Sequence, residues 1–396
     1  MPPGFPITAY SACNGLGQTT DEVLGGLFAG RRGLTPADAS LGVATWVGAV
    51  PGELPALTGK LAGYESRQAR IVQLVTVPLL PAVERAKQRW GADRIGLVLG
   101  TSTAGIAESE RAYVIHRDAG SLPDDFALER QHSLYATVEI TRALTGIRGP
   151  GYVVSTACSS SGKVFASAER LLRAGVVDAV VVGGIDSLCK LTVRGFASLE
   201  VLSPEPCRPF SSERRGINIG EGGALLLLER PGPGVEGLGV ALLGVGESSD
   251  AHHMTAPHPE GLGARMAMAR ALARAGVATE EVDQINVHGT GTAMNDETES
   301  RAIRDLFGGA VPDSLAVVAT KGYTGHMLGA AGATEAVFVA ASIERGELPG
   351  SVGADPIDPS LVPVELARRA RASRRVLSNS LAFGGSNVSV LLGALA

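Results

Sequence analysis

The sequence predicts an α/β protein built from two similar halves. Short apolar, β-branched segments alternate with amphipathic helical segments, a pattern typical of largely parallel sheets covered on both faces by helices. The chain has 396 residues, which is long for one compact core. It contains 52 glycines and only 4% aromatic residues. We therefore expect a core of Ala, Val, Leu and Ile, with helices packed close to the strands.

The predicted elements follow one another in a regular order. Strands are expected over 95–99, 178–182, 284–287 and 315–319, and helices over 164–174, 264–275, 297–306 and 332–345. The strand at 95–99 ends in a turn over 100–103, and Gly183 and Gly184 close the strand at 178–182. This alternation predicts that both halves contain strands separated by helices.

An internal resemblance supports the duplication. Residues 216–228 can be laid over residues 380–390, since in both a glycine pair precedes an apolar strand that closes a segment. The first copy is followed by the sequence PGPG over 231–234, which is typical of a linker. We therefore expect two domains, residues 1–235 and 236–396.

Composition and charge exclude several classes of protein. The net charge of −5, without a run of Lys or Arg, argues against nucleic-acid binding. The four cysteines show no paired spacing, which fits a reducing cytoplasm. The N-terminus lacks the basic region of a signal peptide, and no uncharged apolar stretch approaches the ~20 residues of a membrane span. The sequence thus predicts a soluble, cytoplasmic protein without a membrane partner.

Cys158 lies where an apolar run ends in small residues and the helix from Lys163 to Ala174 is about to begin. A strand–turn–helix junction places a side chain at the positive end of a helix, which lowers the pKa of a thiol. This position predicts a nucleophile that carries an acyl group. The alternative is a small, buried, apolar cysteine without chemical function.

Two histidines lie in glycine-flanked turns after predicted strands. They are His288 in the sequence HGTGT and His326 in the sequence TGHMLG. The ends of parallel strands face the crevice in which ligands bind. Either histidine alone could be a structural residue whose hydrogen bonds are satisfied within the fold. Together with Cys158 they indicate nucleophilic catalysis, with the cysteine in the first domain and both histidines in the second.

Five motifs in this order resemble those of the β-ketoacyl-acyl-carrier-protein synthases, the elongating type I and II ketosynthases of the thiolase superfamily. The motifs are STACSS over 155–160, NIGEG over 218–222, HGTGT over 288–292, KGYTGHMLGAAG over 321–332 and SNSLAFGGSN over 378–387. The resemblance implies a thiolase-like, duplicated five-layer α-β-α-β-α architecture and a dimer.

The resemblance also implies roles in catalysis. Cys158 would carry the acyl chain, and the backbone N–H groups of Cys158 and Phe383 would form the oxyanion hole. His288 and His326 would stabilise the enolate formed when a malonyl thioester loses CO2. Lys321 would support His326 electrostatically and form an ion pair with Glu335. The alternative is that this ion pair is purely structural.

Further residues are expected to bind the substrate. Thr290 and Thr292 match hydroxyls that hold the phosphopantetheine arm of a carrier protein, although turn chemistry also explains them. Phe383 matches a gating aromatic, or it is a core phenylalanine. The other expected substrate-binding residues are Phe196, Gly384 and Gly385. The phosphopantetheine belongs to the substrate, and no intrinsic cofactor is expected. The histidines at 252, 253 and 258 lack the spacing of a metal site.

The motifs distinguish related classes. Thiolases use a second cysteine near the C-terminus, but the last cysteine here is Cys207. Initiating synthases have asparagine where His326 stands, and chain-length factors lack the nucleophilic cysteine. The sequence therefore predicts an elongating ketosynthase for fatty acids, polyketides or aryl polyenes. The alternative is a non-catalytic, chain-length-factor-like partner subunit.

The partners follow from the same resemblance. We expect an acyl carrier protein and either a homodimer or a heterodimer with a chain-length-factor-like subunit. Residues 97–106 and 185–189 resemble synthases of aryl-polyene clusters. Glu200 stands where housekeeping members often carry a basic residue for carrier docking. Arg67, Arg70 and Arg208 are the candidates to replace that residue.

Overall fold

The computed structural model describes residues 4–395 and contains fifteen strands and twelve α-helices within them. The strands are β1 Phe5–Asn14, β2 Thr35–Pro36, β3 Trp46–Gly48, β4 Ile95–Gly100, β5 Gly151–Val154, β6 Ala179–Asp186, β7 Ile219–Gly220, β8 Gly222–Glu229, β9 Val240–Ser249, β10 Gln284–Val287, β11 Ala316–Ala319, β12 Glu347–Leu348, β13 Arg369–Ala370, β14 Arg375–Ala382 and β15 Ser386–Ala394. The helices are α1 Thr20–Phe28, α2 Arg67–Thr76, α3 Leu80–Trp90, α4 Ile106–Ala119, α5 Leu128–Gln131, α6 Ala136–Thr145, α7 Ser160–Arg173, α8 Lys190–Ser198, α9 Leu262–Ala275, α10 Ala293–Leu306, α11 Lys321–Thr324 and α12 Ala331–Arg345. Within residues 4–395, none of the helices has the length and apolar character of a membrane span.

Ten strands form one continuous sheet in the order β11-β10-β14-β15-β9-β1-β8-β6-β4-β5. The two halves of the sheet have the same internal strand order. From the centre outward, each half presents the first, fifth, fourth, second and third of its five main strands. These are β1, β8, β6, β4 and β5 in the N-terminal half and β9, β15, β14, β10 and β11 in the C-terminal half. In both halves the inner pairs are antiparallel and the outer pairs are parallel. Phe5 and Pro6 of β1 join the halves by pairing with Leu242 and Ala241 of β9. The repeated segments noted in the sequence contain β8 and β15, which occupy equivalent places.

Helices cover the sheet in layers. Helices α2, α3 and α6 pack on the strands of the N-terminal half, and α9 packs on those of the C-terminal half with α10 beside it. Helices α7 and α12 contact strands of both halves, and α12 is buried at twelve of its fifteen positions. The layers thus alternate α, β, α, β, α. This confirms the predicted duplicated five-layer fold.

Small residues allow the two central helices to pack closely. A methyl group on Gly332 of α12 would lie 2.7 Å from the backbone nitrogen of Gly162 in α7. The strands beneath them are apolar on both faces, and every residue of β4, β6 and β8 is buried. Continuous apolar strands of this kind require a helix layer on each side. The scarcity of aromatic residues thus reflects the close spacing of the layers.

Some boundaries differ from those predicted. Gly183 and Gly184 do not close the strand, because β6 continues through them to Asp186. A methyl group on Gly183 would lie 2.0 Å from the carbonyl oxygen of Ala224, and one on Gly184 would lie 2.4 Å from the side chain of Ser161. These glycines therefore permit close packing rather than a turn. Helix α10 begins four residues earlier than expected, since the Thr292 hydroxyl accepts a hydrogen bond from the Asn295 backbone and caps it.

Candidate active site

Cys158 lies in the sharp turn between β5 and α7. The residue before it, Ala157, has a φ of 51°, a left-handed conformation that costs a non-glycine residue about 1–2 kcal/mol. The Ser160 hydroxyl stabilises the turn by donating to the carbonyl of Ala157 at 2.6 Å and accepting from the backbone of Thr156 at 2.9 Å. The turn therefore holds the thiol at the N-terminal end of α7, where it is only 6% exposed.

The environment of the thiol does not lower its pKa. Burial raises the pKa of Cys158 to about 12, while Lys321 and the backbone N–H groups of Cys158 and Phe383 act in the opposite direction. The expected depression of the pKa is therefore wrong for this structure, because the loss of water outweighs the helix end and the cation. Both backbone groups assigned to the oxyanion hole nevertheless reach the sulfur.

His288 and His326 face one another beside the thiol. Their ring centroids are 5.1 Å apart and their planes are nearly perpendicular, at 85°. His288 follows β10, and Glu299 of α10 fixes its turn by accepting from the backbone nitrogens of His288 and Gly289 at 2.8 and 3.0 Å. The backbone of His326 donates to the carbonyl of Asn218 at 2.7 Å. The two rings thus meet because β10 and β11 are parallel neighbours.

Both imidazoles are neutral and have free hydrogen-bonding capacity. Burial lowers the pKa of His288 and of His326 well below 6.5, and the nearby Lys321 lowers both further. Within residues 4–395, Nδ1 of His288 and both ring nitrogens of His326 have no hydrogen-bond partner. An unpartnered buried polar atom costs about 1–3 kcal/mol. These nitrogens therefore require a ligand or solvent in the cavity that they line.

Lys321 lies beneath the histidines. Its Nζ is 2.5 Å from Oε1 of Glu335 in α12, and both side chains are at least 97% buried. The same ammonium group donates to the carbonyl oxygen of His288 at 2.5 Å. Lys321 thus contacts the backbone of His288 directly and affects His326 only through its charge.

Cys158, His288 and His326 line one cavity of about 340 Å³, together with most of the predicted substrate-binding residues. Phe196 and Phe383 both line it, and their rings stack on each other with centroids 5.5 Å apart. Phe383 is 37% exposed, which excludes its interpretation as a core residue.

Thr290 and Thr292 also line the cavity, and their hydroxyls are 2.9 Å apart. Gly384 and Gly385 follow Phe383 with φ values of 79° and 70°, which a side chain would strain. The two threonines and the phenylalanine pair therefore surround the same opening.

The histidine-rich segment lies at the edge of this cavity. Asp250, His253 and residues 255–257 contribute to its lining, while the rings of His252 and His258 lie 5.1 Å apart. Between residues 4 and 395, no cluster of three His, Cys, Asp or Glu side chains could hold a metal ion.

The arginines considered for carrier docking are engaged in ion pairs. Arg67 pairs with Glu221, Arg70 with Glu65 and Arg208 with Glu213. Glu200 lies exposed near the entrance, next to Leu199, which lines the cavity. Each arginine would thus have to exchange an existing carboxylate for one from the carrier.

Sequence reasoning missed two buried carboxylates of this site, Glu299 and Asp186. Burial raises the pKa of Glu299 to about 7 and raises that of Asp186. Glu299 had a weak local signal, since it lies eleven residues after His288 within a predicted helix. The sequence around Asp186, at the end of β6, gave no indication that this carboxylate contacts distant segments.

Comparisons with known proteins find relatives that match most of the chain. Residues 6–231 match the family model described as "Beta-ketoacyl synthase, N-terminal domain", and residues 240–355 match "Beta-ketoacyl synthase, C-terminal domain". The chain is 32% identical over 406 residues to "3-oxoacyl-[acyl-carrier-protein] synthase 2" of Synechocystis sp., covering 97% of this chain and 96% of that protein. It is 37% identical over 269 residues to the mitochondrial 3-oxoacyl-[acyl-carrier-protein] synthase of Arabidopsis thaliana, covering 63% of this chain and 58% of that enzyme.

Among solved structures, the chain resembles the ketosynthase ApeO in complex with its chain length factor ApeC from Xenorhabdus doucetiae. The TM-score is 0.90 at 38% sequence identity, and the match covers 99% of this chain and 98% of that chain.

Proposed function

The chain belongs to the β-ketoacyl synthase family, and from that premise we propose which of its residues perform each step of the reaction. The enzyme condenses a malonyl group on an acyl carrier protein with an acyl chain, releases CO2 and forms a β-ketoacyl thioester. We assign Cys158 as the acyl carrier and His288 and His326 as the donors that stabilise the enolate. The main support is that all three side chains line one cavity and that three ring nitrogens lack partners.

The first step transfers the acyl chain to Cys158. The sulfur attacks the acyl thioester carbonyl, and the backbone N–H groups of Cys158 and Phe383 bind the resulting oxyanion. The C–S bond to the carrier breaks, and the proton of the thiol leaves with the carrier thiol. Because the buried thiol has a pKa of about 12, it loses its proton only during this exchange.

The second step forms the carbon–carbon bond. The malonyl carboxylate leaves as CO2, and its electron pair becomes an enolate whose oxygen accepts hydrogen bonds from the neutral imidazoles. The enolate carbon attacks the acyl-Cys158 carbonyl, and the C–S bond breaks to release a thiolate, which takes up one proton from solvent to restore the thiol. Since two N–H donors face the cavity, removing either one is expected to cost roughly 10²–10³ in rate.

The substrate arm and the partners belong to the same proposal. Thr290 and Thr292 hold the phosphopantetheine arm, and Phe196 and Phe383 with its glycine pair frame the acyl pocket. Residues 1–235 supply the nucleophile and residues 236–396 supply both histidines. The likeness to ApeO, a ketosynthase in complex with a chain length factor, supports a heterodimer of this kind. The patches over 97–106 and 185–189 support the aryl-polyene subgroup.

Acyl transfer can be tested directly by mass spectrometry. After incubation with acyl-carrier-protein thioester, we expect one acyl group on the peptide that contains Cys158. Cys158→Ala should carry none. Cys207→Ala is the matched control, because Cys207 is another buried thiol but does not line the cavity. A wild-type protein that remains unacylated would contradict the assignment.

A further inference from the structure

Asp186 is a fully buried carboxylate at the end of β6. Its Oδ1 accepts from the hydroxyl of Thr101 at 2.6 Å, from the backbone of Ser102 at 2.9 Å, and from the backbone and hydroxyl of Thr103 at 3.0 and 3.1 Å. Its Oδ2 accepts from the backbone of Gly329 at 2.6 Å and also from that of Ser102 at 3.0 Å. Every contacting group is a donor, so the carboxylate is bound like an anion between two turns.

The two turns come from different halves of the chain. Residues 101–103 follow β4 in the N-terminal half, whereas Gly329 lies three residues after His326 in the C-terminal half. A methyl group on Gly329 would lie 2.7 Å from both Oδ2 of Asp186 and the backbone nitrogen of Ser102. The carboxylate therefore fills the point where the two turns touch.

A hydrogen-bonded path leads from Asp186 to the nucleophile. Ser102, whose backbone donates to the carboxylate, uses its hydroxyl to donate to the carbonyl of Ala157 at 3.1 Å. Ala157 immediately precedes Cys158. The position of the Cys158 turn thus depends on the position of the turn that Asp186 holds.

Three strained residues surround this carboxylate. Ala104, Ala157 and Leu328 have φ values of 47°, 51° and 50°, three of the six non-glycine residues with positive φ in the described chain. The Ala104 backbone donates to the Thr101 hydroxyl at 3.0 Å, and Leu328 directly precedes Gly329. Strained conformations persist only where the surrounding contacts enforce them. The hydrogen bonds of Asp186 and Ser102 supply those contacts.

We propose that Asp186 is a positioning residue that holds the Cys158 turn and the turn after His326 in one fixed arrangement. The inference rests on the roles of Cys158 and His326 given under the proposed function. It explains why a carboxylate is buried where two turns from opposite halves meet.

The charge of Asp186 should also affect the pKa of Cys158, which a purely structural role would leave unchanged. Lys321 and Asp186 are the charged side chains that act on the thiol, and they act in opposite directions: Asp186 raises the pKa of Cys158 and Lys321 lowers it. Removing the negative charge should therefore lower the pKa of the thiol.

The main test is Asp186→Asn. The asparagine amide has one acceptor oxygen and one NH2 donor, whereas both oxygens of Asp186 accept hydrogen bonds. The NH2 group cannot accept from the backbone it faces, so one of the two turns loses its contact. We expect both acyl transfer to Cys158 and malonyl decarboxylation to fall roughly ten- to a hundred-fold, since a displacement of 1 Å can cost about 10². The pH at which iodoacetamide alkylates Cys158, followed by mass spectrometry of its peptide, should shift downward. Asp178→Asn is the control, because Asp178 pairs with Arg94 and Arg230 before β6 begins and should leave all three measurements unchanged.

Ser102→Ala keeps the backbone contact with Asp186 and removes only the link to Ala157. It should slow acyl transfer while leaving decarboxylation intact, and it provides the test if Asp186→Asn does not fold. A folded Asp186→Asn with unchanged rates and an unchanged alkylation profile overturns the inference, as does unchanged acyl transfer in Ser102→Ala. Alkylation requires no carrier substrate. An enzyme that alkylates normally but accepts no acyl group would therefore contradict the proposed function rather than the role of Asp186.

Discussion

Burial favours the uncharged forms of the three side chains that we propose to react. Cys158 is a thiol with a pKa of about 12, and burial keeps both histidines neutral. A neutral imidazole carries one N–H, which it can donate to a developing enolate oxygen. In the proposed reaction, negative charge therefore develops on the substrate, and the hydrogen-bond donors of the site stabilise it there.

Replacing single residues should separate the two steps of the reaction. Cys158→Gln removes the acyl acceptor, so condensation is lost, while both imidazoles still stabilise the enolate and malonyl decarboxylation continues. His326→Ala removes a donor, and decarboxylation should fall at least 10²-fold. Release of CO2 from labelled malonyl-carrier protein measures this step. Persistent decarboxylation in His326→Ala would refute its assigned role.

The buried histidines should also make stability depend on pH. Below pH 6.5 the unfolded chain protonates His288 and His326, whereas the folded protein keeps both neutral because their folded pKa values lie well below 6.5. The unfolded state then binds more protons, so the free energy of unfolding falls as the pH drops. The extra slope approaches about 2.7 kcal/mol per pH unit for two groups. Urea unfolding between pH 7.5 and 5.5 measures it.

The matched comparison for this slope is the double variant His288→Gln/His326→Gln. It should show a shallower dependence on pH, since neither glutamine titrates. Equal slopes for the wild type and the double variant would mean that the histidines titrate alike in the folded and unfolded states.

The short helix α11 and the long, buried helix α12 supply the ion pair that contacts the backbone of His288. Lys321 opens α11, and Glu335 lies on the second turn of α12, which is buried between the sheet halves. Their ion pair is removed from water, so each charge depends on the other.

Breaking this buried pair should be costly. Lys321→Met leaves Glu335 uncompensated and should lower the free energy of unfolding by about 3–5 kcal/mol, whereas Lys321→Met/Glu335→Leu should recover a large part of that loss. Chemical denaturation measures both variants. The exposed pair of Arg148 and Asp93 is the control, and Arg148→Met should change stability by less than about 1 kcal/mol. A double variant less stable than the single one would contradict this interpretation.

At the scale of the whole molecule, β5 is an outer strand of the ten-stranded sheet, and its four residues are half-buried. The carbonyls of Pro150 and Val154 bond to β4, so the alternate residues Gly151 and Val153 direct their backbone groups to the free edge. Exposed Leu134 and Tyr135 lie just before α6, a helix that contacts β5. An unpaired edge next to apolar side chains is typical of a subunit interface.

Blocking this edge should dissociate the subunits. Val153→Pro removes an outward N–H group, so we expect light scattering to show less dimer than the wild type forms, either with itself or with an added chain-length-factor-like subunit. Tyr135→Glu, which leaves β5 intact, should weaken the same interface. Circular dichroism and thermal unfolding check that both variants remain folded. A folded Val153→Pro dimer would place the interface elsewhere.

The sequence by itself determined the fold class, the duplication and the family. Strand and helix periodicity, glycine-rich turns and the motif around Cys158 are local patterns, and the structure and the comparisons confirmed the five-layer fold and the condensing reaction. The individual roles of His288, His326 and the other site residues remain predictions. The sequence predicted parallel strands but not their order in the sheet, and that order brings these residues into one cavity.

Tertiary structure alone decided the rest. Gly183 and Gly184 resemble a turn locally, yet they continue β6 because Ala224 and Ser161 pack against them. The helix end beside Cys158 predicts a lowered pKa, yet burial raises it. Asp186 acts through segments that are 83 to 143 residues away in the chain. Burial and contacts between distant segments depend on the packed molecule, and a local pattern does not encode them.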